Sequence, residues 1–142
     1  MPALAGFYDA TRDIGYTLVR IVIGITLFIH GWFKLQAGHA AITAYFASLG
    51  LPAPELVAVA AMFLETVGGL AVAVGLFTRF FAPPLAIEML IALFAQHWAN
   101  GFLVLPRKTG YEYVLLLGTV LFAIALRGGG PYSVDRAIGK EL

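Results

Sequence analysis

The fold of this chain is decided by the stretch LVAVAAMFLETVGGLAVAVGLFTR, residues 56–79. It is long and apolar enough to cross a bilayer, whose hydrocarbon core takes about 20 helical residues. One carboxylate, Glu65, stands near its middle and shares a helix face with Gly68 and Gly69. A charge at that depth costs about 2.5–3.5 kcal/mol on insertion scales and normally faces a partner or a water-filled cavity. The glycines let another backbone, or a flat ligand, come close to it.

The composition points to a membrane protein of one domain, residues 1–142. The chain is 61% hydrophobic and 12% charged, against about 25% charged residues in a typical soluble domain. A net charge of +1 implies no basic surface for nucleic acid. The lack of cysteine excludes structural disulfides, iron–sulfur clusters and covalently attached haem. The N-terminus has no basic region before its first apolar run, so we expect no removed signal peptide.

Hydropathy and turn signals predict an all-α fold, an integral membrane four-helix bundle. The four spans are expected at about residues 14–35, 56–79, 84–100 and 111–126. Residues 1–13 are interpreted as a surface lead-in to the first span. Pro83 and Pro84 suit the first turn of the third span, where a missing N–H costs nothing.

Two further short helices are predicted outside the spans. Residues 40–49, in the first outer loop, fit an interfacial helix that ends at Gly50 and Pro52. Ser133 can cap a C-terminal helix over residues 134–140.

Four spans place both termini on one side of the membrane, and the basic residues predict which side. Six Lys and Arg residues lie in the terminal segments and second loop, against three in the first and third loops. The positive-inside rule therefore predicts cytoplasmic termini. Trp32 and Trp98 then share the outer interface, where indoles are enriched.

A first polar group is expected within the membrane. Counting depth along each span brings Arg20, Glu65 and Glu88 near one another, with Arg20 between the two acids. Arginine suits this position because its fork binds carboxylates bidentately and stays charged. The group is either a structural lock that sets helix register or a site that exchanges protons.

A second polar group is expected at the outer end, either as an ordinary interfacial belt or as the mouth for an amphipathic aromatic substrate. Its members are His30, Lys34, His97, Asn100 and Glu112, accompanied by the aromatic residues Trp32, Trp98, Tyr111 and Tyr113. Glu88 and His97 are nine residues apart and point to opposite sides of a regular helix. They share a cavity only if the helix bends or unwinds near Gln96. Ligation of a b-type haem by His30 and His97 is a less favoured alternative, and no metal site is predicted.

The chain also resembles the DoxX family of small four-span bacterial membrane proteins over roughly residues 18–137. The pieces that carry the resemblance are LVRIVIGITLFIHGWFKL (18–35), YFASLGLPAPE (45–55), FLETVGGLAVAVGLFTRF (63–80), AIEMLIALFAQHWANGF (86–102), GYEYVLLLG (110–118) and GPYSVDRAI (130–138). The resemblance implies a bacterial inner-membrane protein. It also implies links to quinone-dependent redox chemistry, oxidative-stress complexes and hydroquinone detoxification.

Together these observations favour a protein that binds a quinone or similar aromatic lipophile between its helices. Glu65, Glu88 and His97 are the candidate catalytic, proton-handling groups. The candidate substrate-binding residues are Arg20, His30, Lys34, Trp98, Asn100 and Glu112. Electrons would come from a partner, since the chain has no recognisable redox centre.

Two alternatives come from other functional classes. One is a non-catalytic membrane adaptor that recruits soluble redox or stress proteins. The other is a small-molecule permease, for which four spans would require a homodimer.

Overall fold

The computed structural model describes the backbone of residues 2–139 and the side chains of residues 4–139. The α-helices are α1 (Pro2–Ala37), α2 (His39–Ser48), α3 (Pro54–Phe63), α4 (Gly69–Val74), α5 (Thr78–Ala92), α6 (Glu112–Arg127) and α7 (Val134–Ile138). Two π-helical turns continue α3 and α5, at Leu64–Gly68 and Leu93–His97, and a 3₁₀ turn follows at Trp98–Asn100. Strands β1 (Val104–Leu105) and β2 (Lys108–Thr109) form an antiparallel hairpin between α5 and α6.

Within the described residues, three helical stretches are long and apolar enough to cross a membrane. They are Leu4–Ala37, Pro54–Val74 and Thr78–Asn100. The all-α membrane class expected from the composition is therefore confirmed. Helix α6 has 16 residues, about 24 Å at 1.5 Å per residue, and packs along α5 through Leu117, Leu121 and Ile124.

The first helix is longer than the sequence suggested. Helix α1 begins at Pro2, so the described part of the expected surface lead-in is helical and continuous with the first span, and residues 4–10 are exposed. Proline is well placed in a first helical turn because its missing N–H has no partner to lose there. No glycine pair or second proline interrupts the helix between Pro2 and the apolar span.

The boundary between the second and third spans also differs from the prediction. Helix α4 ends at Val74, where Gly75 takes a left-handed conformation with φ of 73°. Helix α5 already begins at Thr78, so Arg79 belongs to the third span and not to the second. Pro83 and Pro84 consequently lie inside α5, and their placement in the first turn was wrong.

A carboxylate from the C-terminal segment sets this early helix start. Asp135 accepts hydrogen bonds from the backbone N–H of Phe77 and Thr78 at 2.6 and 3.0 Å and from the Thr78 hydroxyl at 2.8 Å. These are the donors that a helix N-terminus leaves unpaired, and a negative charge there is favourable. The cap comes from more than fifty residues away, so local sequence gave no sign of it.

Helices α1 and α4 pack with their backbones in near contact. A Cβ added at Gly24 would lie 2.4 Å from Ala73 N, and one at Gly69 would lie 2.7 Å from Phe28 N. Glycine is the residue that permits such an approach. At Gly69 the close neighbour is therefore another helix backbone. This contact sets the register of α1 against α4.

Both short helices lie close to their predicted positions. Helix α2 covers His39–Ser48 and α7 covers Val134–Ile138, with Ser133 Oγ accepting from Arg136 N at 3.1 Å. The location of α2 at the membrane interface stays a prediction. Lys140, the expected end of the last helix, lies outside the described residues.

Candidate functional site

The centre of the site is a lysine shared by two acids on neighbouring helices. Lys34 Nζ lies 2.5 Å from Glu65 Oε2 and 3.8 Å from Glu88 Oε1. The Glu65 side chain is only 5% exposed and that of Glu88 16%. We call Lys34, Glu65 and Glu88 the triad. It unites Lys34, expected at the outer mouth, with two acids expected in the first polar group within the membrane.

The register of α1 produces this pairing. A Cβ at Gly31 would come within 2.5 Å of Thr66 N, so α1 passes directly over the turn that holds Glu65. Lys34 lies one helical turn beyond Gly31 and therefore reaches the Glu65 carboxylate. Glu65 itself belongs to the π turn Leu64–Gly68. Such turns rotate the residues that follow and are frequent at functional sites.

Arg20 is not part of this group, and its predicted pairing with Glu65 and Glu88 is wrong. Its guanidinium donates to the carbonyls of Val72, Ala73 and Tyr132, each at 2.7 Å. Carbonyls in the last turn of a helix attract a cation, and that of Val72 also accepts from Gly75 N at 3.1 Å. Arg20 thus joins the last turn of α4 to the C-terminal segment. Its predicted role in substrate binding has no geometric support.

Beside the triad lies a partly enclosed cavity of about 1040 Å³, at the upper end of the usual range for ligand pockets. Its floor includes the buried side chains of Leu27, Met89 and Leu117. The polar groups on its lining include His30, Lys34, Glu65, Gln96, His97 and Glu112. Apolar walls with a few convergent polar groups are the usual character of a small-molecule site.

The distortion that would bring Glu88 and His97 to one cavity is present. The regular α-helix gives way to a π turn at Leu93–His97, so residues beyond it are rotated relative to a continuous helix. Among the described residues, His97 and Met89 line the cavity, whereas Glu88, the neighbour of Met89, is not part of the lining. The condition stated from the sequence, a helix that deviates near Gln96, is confirmed.

His97 is held in a defined orientation. Its Nδ1 lies 2.7 Å from the carbonyl oxygen of Thr109, and since a carbonyl only accepts, Nδ1 carries the hydrogen. Nε2 is then the atom left to exchange a proton. Asn100 Nδ2 donates to the same carbonyl at 3.2 Å. Both side chains therefore fasten the β-hairpin to the end of α5.

Glu112 fastens the other side of the hairpin. Its Oε1 accepts from Val104 N at 2.7 Å, while Phe102, Val104 and Thr109 line the cavity. The hairpin is thus one wall of the site. Trp98 stacks on Tyr111 with ring centroids 5.1 Å apart, beside this wall. Substrate contact by Trp98, Asn100 and Glu112 stays a prediction.

The polar cavity residues that the sequence did not indicate include Tyr45 and Gln96. Tyr45 comes from α2 and Gln96 from the π turn of α5. Burial raises the pKa of the Tyr45 phenol, which therefore stays protonated and able to donate. No spacing rule pointed to Tyr45, because α2 reaches the cavity only through its packing on α3. Among the residues that the structure describes, no group of three His, Cys, Asp or Glu side chains could hold a metal ion.

The comparison with known proteins shows the family to which this chain belongs. The DoxX family model matches residues 15–98, and the chain belongs to the DoxX family. In Bacillus subtilis (strain 168), Putative oxidoreductase CatD is 31% identical over 128 residues, covering 90% of both chains. In Escherichia coli (strain K12), Inner membrane protein YqjF is 30% identical over 92% of this chain and 96% of its own, and Inner membrane protein YphA is 27% identical over 91% and 94%. No solved structure matches at comparable significance. The family and the apolar helices establish a membrane protein.

Proposed function

We propose that this chain binds a quinone or a similar aromatic lipophile in the cavity and takes part in quinone-linked redox chemistry. The single observation that carries the proposal is the buried acid pair at an apolar cavity. Glu65 lines the cavity with its Oε2 on the Lys34 ammonium at 2.5 Å, and Glu88 Oε2 is buried without a hydrogen-bond partner among the described residues. Buried polar atoms of this kind are rare in native proteins and call for an explanation such as a ligand.

The triad is suited to moving protons. With all three groups ionised it carries one net negative charge inside a low-dielectric site, and one bound proton makes it neutral. Reduction of a quinone places two protons on its two oxygens, so acids next to the ring are what the chemistry requires. Glu65 and Glu88 would deliver or receive a proton at these oxygens. His97 Nε2 would serve the other end of the ring.

Lys34 takes the part that the sequence suggested for Arg20. Its ammonium can donate to a ligand oxygen while it remains between the acids, and it lines the cavity with Glu65. His30 lies on the same lining, with its ring centroid 6.2 Å from that of Tyr113. An aromatic ligand would pack against one of these flat rings. Apolar side chains on the floor exclude water from the reacting end.

Electrons would come from a partner protein, since the chain offers no recognisable redox centre. A relative named as an oxidoreductase supports a redox role. We further propose a multi-pass topology in the bacterial inner membrane, with α6 as a fourth span and cytoplasmic termini. The charge bias in the loops supports this orientation.

The test uses the full chain in lipid nanodiscs. Native mass spectrometry with lipid extraction is expected to find quinone retained at up to one molecule per chain, and titration with quinone is expected to saturate. Glu65→Gln and Glu88→Gln should weaken proton-coupled turnover with an electron donor about 10- to 100-fold. Glu55→Gln, an exposed acid at the start of α3, should leave it unchanged. No bound quinone, and turnover unaffected by both site changes, would overturn the proposal.

The same preparation separates the alternatives. If the chain is an adaptor, a soluble partner should copurify with it in mild detergent at a fixed stoichiometry, and Glu65→Gln should leave this association unchanged. A permease would carry flux in proteoliposomes that Glu65→Gln abolishes.

A further inference from the structure

The cavity does not end inside the bundle. Its lining includes Val114 and Leu117, which are 7% and 4% exposed, and also Leu115 and Leu116, which are 44% and 61% exposed. These residues stand on opposite sides of α6. The same lining extends to Thr119, one turn further along the exposed side. The cavity thus extends from the triad to the exposed side of α6, the side that would face lipid with α6 as the proposed fourth span.

In the described chain, the polar and aromatic contacts between α1 and α6 lie towards the two ends of their interface. At one end Tyr16 donates from its hydroxyl to the carbonyl of Gly128, and Arg127 pairs with Asp13 at 2.7 Å. At the other end the rings of His30 and Tyr113 meet at 6.2 Å. In the described chain, no hydrogen bond or ion pair joins residues 17–37 of α1 to residues 112–127 of α6. Apolar contacts alone close the middle, at Leu27 and Leu117.

We propose that this passage is a lateral portal and that the ligand is a membrane-resident molecule with a hydrocarbon tail. This inference rests on the proposed function, since it names the kind of quinone that the site takes. The polar ring would lie at the triad, while the tail would leave past Leu116 and Thr119 into the bilayer. A tail in this position stays in an apolar medium throughout, so it needs no enclosed tunnel. A quinone without a tail would enter as well.

The experiment compares a tailed and a tailless quinone on the same protein in nanodiscs. The probes are a naphthoquinone with a four-isoprenoid tail and a naphthoquinone with a methyl group in place of the tail. The concentration of each probe is expressed as its mole fraction in the bilayer. Wild-type protein is expected to bind both with similar affinity. Leu116→Trp and Thr119→Trp place a bulky ring in the portal and should weaken the tailed quinone about tenfold by steric exclusion, and the tailless one less than about twofold. Leu126→Trp, on the exposed part of α6 away from the cavity, should change neither.

The outcomes separate the two proposals. If the tailless quinone binds and the tailed one does not, the portal is wrong and the quinone site stands. Equal effects of Leu116→Trp and Thr119→Trp on both ligands lead to the same conclusion. If wild-type protein binds neither quinone, both proposals are overturned. A photoreactive group at the end of the tail gives an independent readout, and its adducts are expected on residues 115–119 of α6.

Discussion

Lys34 on α1 and Glu65 on the neighbouring π turn form an ion pair with 2.5 Å between Nζ and Oε2. This contact joins the C-terminal end of α1 to the π turn between α3 and α4. Glu88 on α5 approaches the same ammonium at 3.8 Å, so three helices meet at one charge. The cavity opens beside this point, which makes the pair both a structural link and the polar end of the site.

The first prediction tests the identity of the cation. A double-mutant cycle of Lys34→Met and Glu65→Gln should give a coupling energy of about 1–3 kcal/mol. Either substitution alone removes one member of the ion pair and leaves the other charge buried and unpaired. The free energy of unfolding in mixed micelles measures this coupling. Arg20→Lys with Glu65→Gln should instead be additive to within about 0.5 kcal/mol. Coupling to Arg20 with none to Lys34 would contradict the geometry.

The second prediction concerns the contact of α1 with α4. Gly24→Ala should lower the free energy of unfolding by about 1–3 kcal/mol, because its Cβ would overlap the backbone of Ala73. Gly15→Ala on the same helix meets nothing within 4 Å and should be neutral or stabilise by up to about 1 kcal/mol, as Ala favours helix. Thermal denaturation of the two variants side by side is the measurement. Equal melting temperatures would show that the helices are further apart.

The third prediction concerns the cap on α5. Asp135→Ala removes the acceptor for two backbone N–H groups and one hydroxyl and should destabilise the protein by about 1–3 kcal/mol. Asp13→Ala removes an ion pair whose partners are 33% and 45% exposed and should cost less than about 1 kcal/mol. Chemical denaturation compares the two. A larger loss at Asp13 would argue against a buried cap at Asp135.

The fourth prediction concerns the hairpin wall. Glu112→Ala should speed hydrogen exchange at the Val104 amide about tenfold, because that N–H loses its acceptor. Glu112→Gln keeps a carbonyl oxygen in place and should stay close to wild type. Exchange read by mass spectrometry over residues 102–110 reports the difference. If Glu112→Gln exchanges as fast as Glu112→Ala, the charge of Glu112 and not its hydrogen bond holds the hairpin.

Several site residues could be found from the sequence because they break a pattern. Glu65 and Glu88 are acids within apolar runs, and such positions rarely occur without a reason. His97 was recognised as reachable only if its helix deviated, and the π turn at Leu93–His97 supplies that deviation. These inferences needed only the cost of charge in lipid and the period of a helix.

The partner of the acids could not be found in this way. Counting depth along each span placed Arg20 near Glu65 and left Lys34 at the outer end of the first span. The close backbone contacts at Gly24 and Gly31 instead set the axial position of α1, and at this position Lys34 lies beside Glu65. Arg20 then meets the carbonyls at the end of α4. The axial register between two helices depends on how their side chains fit together, and a hydropathy profile does not contain this information.

The amino-acid sequence by itself determined the membrane class, the family and the presence of buried acids, because each follows from composition, span length or the order of motifs. Only the tertiary structure decided which cation binds those acids, where α5 begins and which surface closes the cavity. Lys34 reaches Glu65 through the packing of two helices, and Asp135 caps α5 from a distant segment. Contacts of this kind arise when remote parts of the chain meet, and no local pattern encodes them.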